Sequence, residues 1–169
     1  MQQMDLWGTQ PAEKKIESVD NWQLCIDGAS KNNPGPAGSG FVLKNNDKII
    51  CRQGFYLGKK TNNQAEYFAL VIGIFFAKKY IKQNDLLTII SDSQLLVRQM
   101  MGIYKVKDIH LAQLKTVAML WLQGYRYKMQ HVLREFNTQA DEMANRGVEK
   151  KTVLPQDFLH SLQNHDITL

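Results

Sequence analysis

The sequence predicts an α/β fold, and three observations carry that expectation. Short apolar runs at the front of the chain, separated by turn residues, read as strands of an antiparallel meander. An apolar stripe with helical spacing follows them, and the continuous run LLTII, residues 86–90, then returns as a strand buried on both faces. A strand, helix, strand unit of this kind favours a parallel, right-handed crossover, so the sheet is mixed and helices cover it. With 169 residues and 44% hydrophobic content, the chain can bury one core and is expected to form one domain.

The elements follow in order. Residues 1–20 are polar, with a break at Thr9-Gln10-Pro11 and a mixed-charge patch from Glu13 to Glu17, and read as a flexible leader. The domain is expected over 21–149, with 150–169 as a C-terminal extension. WQLCID begins the fold as the first strand. GFVLKN and KIICRQGFYL, split by Asn45, Asn46 and Asp47, read as a hairpin. From Asn63 onward, Tyr67, Leu70, Val71, Ile74 and Phe75 recur at i, i+3, i+4, i+7 and i+8, the stripe of an amphipathic helix. Beyond LLTII, Gln94 to Met101 reads as a short helix ended by Gly102, and Leu111 to Leu122 as a longer one ended by Gly124. YRYKMQHVLRE alternates as a fifth strand. Asn137 then caps a helix with Ala140, Met143, Ala144, Gly147 and Val148 on one face, and DFLHSLQNH after Pro155 supplies a short last helix.

Composition narrows the function classes. Lys and Arg total 21 against 16 Asp and Glu, a net +5 that is compatible with an anionic partner. The N-terminus has no apolar run of signal-peptide length, and no stretch approaches a membrane span, so a soluble, cytoplasmic protein without membrane contact is expected. Cys25 and Cys51 fall in separate strands without a Cys-x-x-Cys pair and read as buried free thiols. Trp22, Phe75, Phe76 and Trp121 are assigned to the core, while Tyr104 fits either core or groove.

The stretch CIDGASKNNPGPAGSG carries an apolar strand into Asp27 and straight on into Gly28, Pro34, Gly35, Pro36, Gly38 and Gly40. Asp27 thus ends the first strand, Glu66 falls in the first turn of the first helix, Asp92 follows the buried strand, and Asp141 stands in the first turn of the helix after Asn137. If the fourth strand lies parallel to the first, Asp27 and Asp92 face one crevice. Carboxylates that close repel one another and must take up protons or bind cations. Magnesium, with its preference for a few protein oxygens plus water and phosphate, suits them, and two such ions can clamp a phosphodiester displacement. Taken singly, Glu66 and Asp141 also read as residues favouring a helix N-terminus. Asp27 does not, because an acid within a buried sheet needs a partner.

The motifs DGASKNNPGPAG from Asp27, TNNQAEYFAL from Thr61, ISDSQLLV from Ile90 and NTQADEMAN from Asn137 resemble type 1 ribonuclease H, in the family's order and close to its spacing. The resemblance covers residues 22 to 148. It implies a ribonuclease H-like fold, a five-stranded mixed sheet of order 3-2-1-4-5 with strands 1–3 antiparallel and strands 4 and 5 parallel to strand 1, flanked by helices. It implies an endonuclease that cuts the RNA strand of RNA/DNA hybrids and leaves 5′-phosphate and 3′-hydroxyl ends. Asp27, Glu66, Asp92 and Asp141 would be the catalytic, metal-binding carboxylates for two Mg2+ ions, with Mn2+ as a substitute and Asp27 bridging both. Gly28, Asn33, Asn62, Asn63 and Gln94 match hybrid-contacting positions. A short amide can both donate to and accept from a 2′-hydroxyl, which distinguishes RNA from DNA. The glycines and prolines after Asp27 would form a tight loop for close approach of a nucleic-acid backbone.

Departures from the family pattern shape the expectation. The loop histidine of many members has no counterpart: His131 falls within the fifth strand and reads as a core or strand-surface residue. Arg134 resembles the basic residue of a histidine-lacking branch and is assigned to phosphate or product contact. The lysine-rich insertion is missing, since GIYKVKDIHLAQLK carries only Lys105, Lys107 and Lys115, so hybrid binding is expected to be modest and salt-dependent. Lys59, Lys60 and Arg98 could add to the basic face. The chain is expected to be a monomer. The alternatives are a catalytically weak nucleic-acid-binding scaffold, a different metal nuclease on the same general fold, and a nuclease that also cuts double-stranded RNA.

Overall fold

Three strands open the computed structural model, which describes residues 19–169. They are β1 (Asn21–Ser30), β2 (Gly35–Asn45) and β3 (Lys48–Lys60), joined as an antiparallel meander. The leader expected over residues 1–20 lies, but for its last two residues, outside the described residues. Next come α1 (Asn62–Ala77), β4 (Leu86–Ser91), α2 (Gln94–Met100), α3 (Ile109–Leu122) and β5 (Arg126–His131). A 3-10 turn at Arg134–Phe136 leads into α4 (Thr138–Lys150), and α5 (Gln156–Gln163) closes the order. The strands form one sheet of order β3-β2-β1-β4-β5, with β4 parallel to β1 and β5 parallel to β4, as the motif resemblance implies.

The period of two along each strand sorts side chains between the two faces. Leu24, Ile26, Phe41, Leu43, Phe55 and Leu57 join the core shared with α1 and α3. Cys25, Val42 and Ile90 pack instead with Ala140 and Met143 of α4. α1 is therefore not the one-striped helix that the spacing suggests. Ala65 through Ile74 are all buried, because the sheet covers one side and α3 covers the other. A helix apolar all round is the sequence counterpart of that position.

Several boundaries differ from the expectation. β1 does not end at Asp27: Gly28, Ala29 and Ser30 pair with Ser39, Gly38 and Ala37, and the connection to β2 shrinks to Lys31–Pro34. The Gly- and Pro-rich stretch is thus mostly strand, and the loop expected after Asp27 is a short turn. β5 stops at His131, its last partner being Ser91 at the end of β4, so Val132 to Glu135 leave the strand pattern. α3 begins at Ile109, where Asp108 accepts from the amides of His110 and Leu111. Cys25 is buried, but Cys51 is only half-buried. Trp22 and Phe76 belong to the core, whereas Phe75 and Trp121 are half-buried and pack with Phe158 of α5. Among the described residues, no helix is long and apolar enough to cross a membrane.

Candidate active site

Asp27 sits where one strand outlasts its neighbour. Pairing between β1 and β4 ends at Ile26 and Ser91, so Asp27 projects just beyond the end of β4, and Asp92 follows immediately. Glu66 arrives from α1, and Gly28 makes that possible: a Cβ there would lie 2.2 Å from the Glu66 amide nitrogen. The close approach lets the Gly28 amide donate to Glu66 Oε2 at 3.1 Å. α1 begins at Asn62, so Glu66 is a full turn in, beyond the cap position suggested for it. The helix start is held instead by Thr61 and Gln64, each side chain accepting from the other's backbone amide.

Glycines on the other face bring in the fourth carboxylate. Across the sheet Asp27 pairs with Gly40 and Gly40 with Gly54. A Cβ on Gly40 would stand 2.2 Å from the Ala144 nitrogen, and one on Gly54 would stand 1.7 Å from the Met143 oxygen. α4 therefore rests directly on backbone and carries Asp141, in its first turn, to the side of the sheet on which Asp27 lies. Gly40, expected with the other glycines after Asp27 to make room for a nucleic-acid backbone, instead makes room for α4.

Carboxylate oxygens of Asp27, Glu66 and Asp92 all lie within 4.8 Å of one another. They line a cleft of about 390 Å³ together with Asp141. Burial, then Asp92 and Asp141, push the Asp27 carboxyl up to about 8. Burial, then Asp27 and Asp92, push Glu66 well above the usual carboxylate range, with the Gly28 amide opposing. Among the described residues the one ion pair at the cleft is Arg134 Nη2 to Asp141 Oδ1, 3.0 Å, on an exposed guanidinium. The hydrogen bond to Asp141 holds Arg134 more firmly charged than usual. Without a basic partner in hydrogen-bonding reach among the described residues, Asp27 and Glu66 must hold protons or share a cation, and the oxygen-only donor set fits a hard divalent cation.

The other residues singled out by sequence divide into two groups. Gly28, Asn62 and Arg134 line the same cleft as the carboxylates. Asn33, Asn63 and Gln94 do not: Asn33 Oδ1 accepts from the Asn62 amide at 2.8 Å, while Asn63 and Gln94 stand exposed on the first turns of α1 and α2. His131 is a strand-surface residue whose Nε2 lies 3.2 Å from the Asp92 carbonyl oxygen. Two amides escaped the sequence reading. Asn145 lines the cleft and donates to the Asp141 carbonyl at 2.9 Å. Asn137, expected to cap α4, makes no side-chain cap there, and its Nδ2 donates to the Ile26 carbonyl at 2.8 Å and to Asp92 Oδ1 at 3.2 Å. For Asn145, the signals were its place at the end of the NTQADEMAN motif and its position a turn after Asp141 on the same helix.

A family model described as "Reverse transcriptase-like" matches residues 25–147. A ribonuclease HI of Halobacterium salinarum is 37% identical over 126 residues, covering 73% of this chain and 62% of that protein. A Mycobacterium tuberculosis protein described as bifunctional is also 37% identical over 126 residues, covering 73% of this chain and 34% of its own length. The match thus spans less than two thirds of either relative. Among solved structures, RNase H1 from Halobacterium salinarum superposes with a TM-score of 0.73 at 34% identity, covering 77% of this chain and 98% of that one. LC11-RNase H1 in complex with an RNA/DNA hybrid gives a TM-score of 0.70 at 32% identity, covering 76% and 97%.

Proposed function

Because the chain belongs to the type 1 ribonuclease H family, we propose that it is a metal-dependent endoribonuclease that cuts the RNA strand of RNA/DNA hybrids, leaving 5′-phosphate and 3′-hydroxyl ends. The observation that carries the reading is the convergence of Asp27, Glu66 and Asp92, oxygens within 4.8 Å, in one cleft with Asp141. Likeness to a ribonuclease H1 whose structure contains a hybrid supports the substrate. Two divalent cations, Mg2+ or Mn2+ in its place, held by the four carboxylates, would supply charge neutralisation at the phosphodiester and an activated water.

The chain's own groups prepare that site. The buried sheet end keeps Asp27 and Glu66 largely out of water, so their ionised forms need a cation beside them in place of solvent. Arg134, at the rim, holds Asp141 and presents a guanidinium where a phosphate oxygen could replace that carboxylate as its partner. Asn62, on the cleft wall, offers an amide to a ribose hydroxyl, and Asn33 steadies the turn beside it. Asn63 and Gln94, exposed outside the cleft, would meet a hybrid longer than the cleft itself. The reading includes a monomer acting in the cytoplasm.

End-labelled hybrid, duplex DNA, single-stranded RNA and double-stranded RNA, each with Mg2+ or EDTA, test the proposal against an identically purified Asp92→Asn protein. Metal-dependent cutting of the hybrid that disappears in the variant is expected. Hybrid bound but left intact by the wild-type protein in both Mg2+ and Mn2+ would instead indicate a binding scaffold, and cutting of double-stranded RNA would widen the substrate class.

A further inference from the structure

We infer that Asn137 is a positioning residue for the metal site: its side-chain amide locks the Asp92 carboxylate against β1 and the start of α4, and so sets cation affinity. The inference rests on the reading of the four carboxylates as cation ligands.

The geometry leaves the amide one orientation. Nδ2 lies 2.8 Å from the Ile26 carbonyl oxygen and 3.2 Å from Asp92 Oδ1, and both partners are acceptors. Rotating the amide by a half-turn would set its oxygen against two others, so Nδ2 must face them. Asn137 is buried at 2% exposure, and its Oδ1 has no hydrogen-bond partner among the described residues. The side chain also makes no cap bond to α4, although Asn in this position ordinarily does. Local stability therefore does not account for its placement, whereas two bonds to residues 111 and 45 positions away do.

Those bonds join the elements that bear three of the four acids. Ile26 precedes Asp27 on β1, Asp92 follows β4, and the Asn137 carbonyl accepts from the Asp141 amide at 3.1 Å in the first turn of α4. Asp92 follows a strand end and is only half-buried, so packing alone does not fix how its carboxylate is turned. Engaging Oδ1 fixes the rotation and directs Oδ2 elsewhere. Groups that orient a metal ligand in this way typically change affinity or activity by 10–100-fold when removed, of order one to two decades.

Calorimetric titration of the full chain with Mn2+ tests this for wild type, Asn137→Ala, Asn137→Asp and Phe158→Ala, the last a core substitution on α5, which packs against the far end of α1. Weakening of Mn2+ binding by about 10–100-fold in both Asn137 variants, with the Phe158 variant unchanged, is expected. At saturating Mn2+ the KM for hybrid should stay at the wild-type value. Mn2+ affinity equal to wild type in folded Asn137→Ala overturns the assignment. A second measurement requires no variant: the Asn137 Nδ2 resonances of wild-type protein should shift on Mg2+ addition, and resonances that stay in place overturn it too. Wild-type protein that binds Mn2+ yet leaves hybrid intact overturns the nuclease reading alone, since the affinities still decide the role of Asn137.

Discussion

Asp27 stands in strong electrostatic conflict: burial and two neighbouring carboxylates raise it to about 8. Without a cation, the folded chain therefore keeps a proton that the unfolded chain releases near pH 4, roughly its ordinary value. The folded state binds more protons throughout that window, so stability falls as pH rises from about 4 to about 8. Glu66, raised for the same reasons, adds to the slope. Thermal unfolding in EDTA should give a lower midpoint at about pH 8 than at about pH 5, and Mg2+ should restore it by binding only the folded form. Asp27→Asn, neutral at every pH, should match wild type at the acidic end and exceed it in EDTA at the alkaline end. A midpoint in EDTA that does not fall with pH would show that the carboxylates are not in conflict. Asp27 and Asp92 were legible in the sequence because each terminates an apolar run, where a charge has no packing reason to be. Asn137 was not: an Asn just before a helical stripe is the usual cap, and nothing local reveals partners 45 and 111 residues away.

At the scale of elements, the site depends on how closely two helices approach the sheet. Gly28 admits α1, while Gly40 and Gly54 form a row beside Asp27 that admits α4. In the sequence the glycines after Asp27 looked like a ligand-binding loop, because glycine in a turn and glycine under a helix have the same letter. Only the register, which pairs Asp27 with Gly40 and Gly40 with Gly54, separates the two. The same limit blurs α1, whose apolar stripe is visible in the sequence but whose other side is also covered. Gly54→Ala should drive α4 off the sheet, because the new Cβ meets backbone rather than a yielding side chain. Overpacking of this kind costs about 1–3 kcal/mol, and more where nothing can shift. Since Asp141 rides on α4, and a displacement of about 1 Å can cost about a hundredfold in rate, hybrid cleavage should fall roughly tenfold to a hundredfold. Chemical denaturation and initial rates on the same preparation measure both effects, and normal cleavage despite lost stability would uncouple α4 from the chemistry.

Across the whole molecule, the cleft and the Phe158 contact meet different ends of α1: Glu66 near its start and Phe75 near its finish. The cleft lies at the carboxyl ends of β1 and β4, while the C-terminal segment packs Leu154, Phe158, Leu162 and Ile167 into the core on the α1 side of the sheet. Phe158, with 0% exposure, meets the rings of both Phe75 and Trp121 edge-on, at centroid distances of 5.3 and 6.3 Å. The α5 helix was legible from its Pro155 start, but its role was not, because an eight-residue helix after a finished motif set resembles an appendage. Its burial makes it part of the core that holds α1 against the sheet. Phe158→Ala should therefore cost about 3–5 kcal/mol, the usual range for emptying a buried aromatic site. A domain of this size commonly has about 5–15 kcal/mol in total, so the variant should fold in the cold and melt many degrees early. Its Mn2+ affinity and its cleavage rate at low temperature should match wild type, since Phe75 and Glu66 stand more than two turns apart on a rigid α1. That outcome, set beside Gly54→Ala, would separate the two faces: stability lost in both, activity lost from Gly54→Ala alone. Equal loss of activity in both would mean that α1 transmits disturbance from its buried end to Glu66, and that the sheet does not insulate the site from its own core.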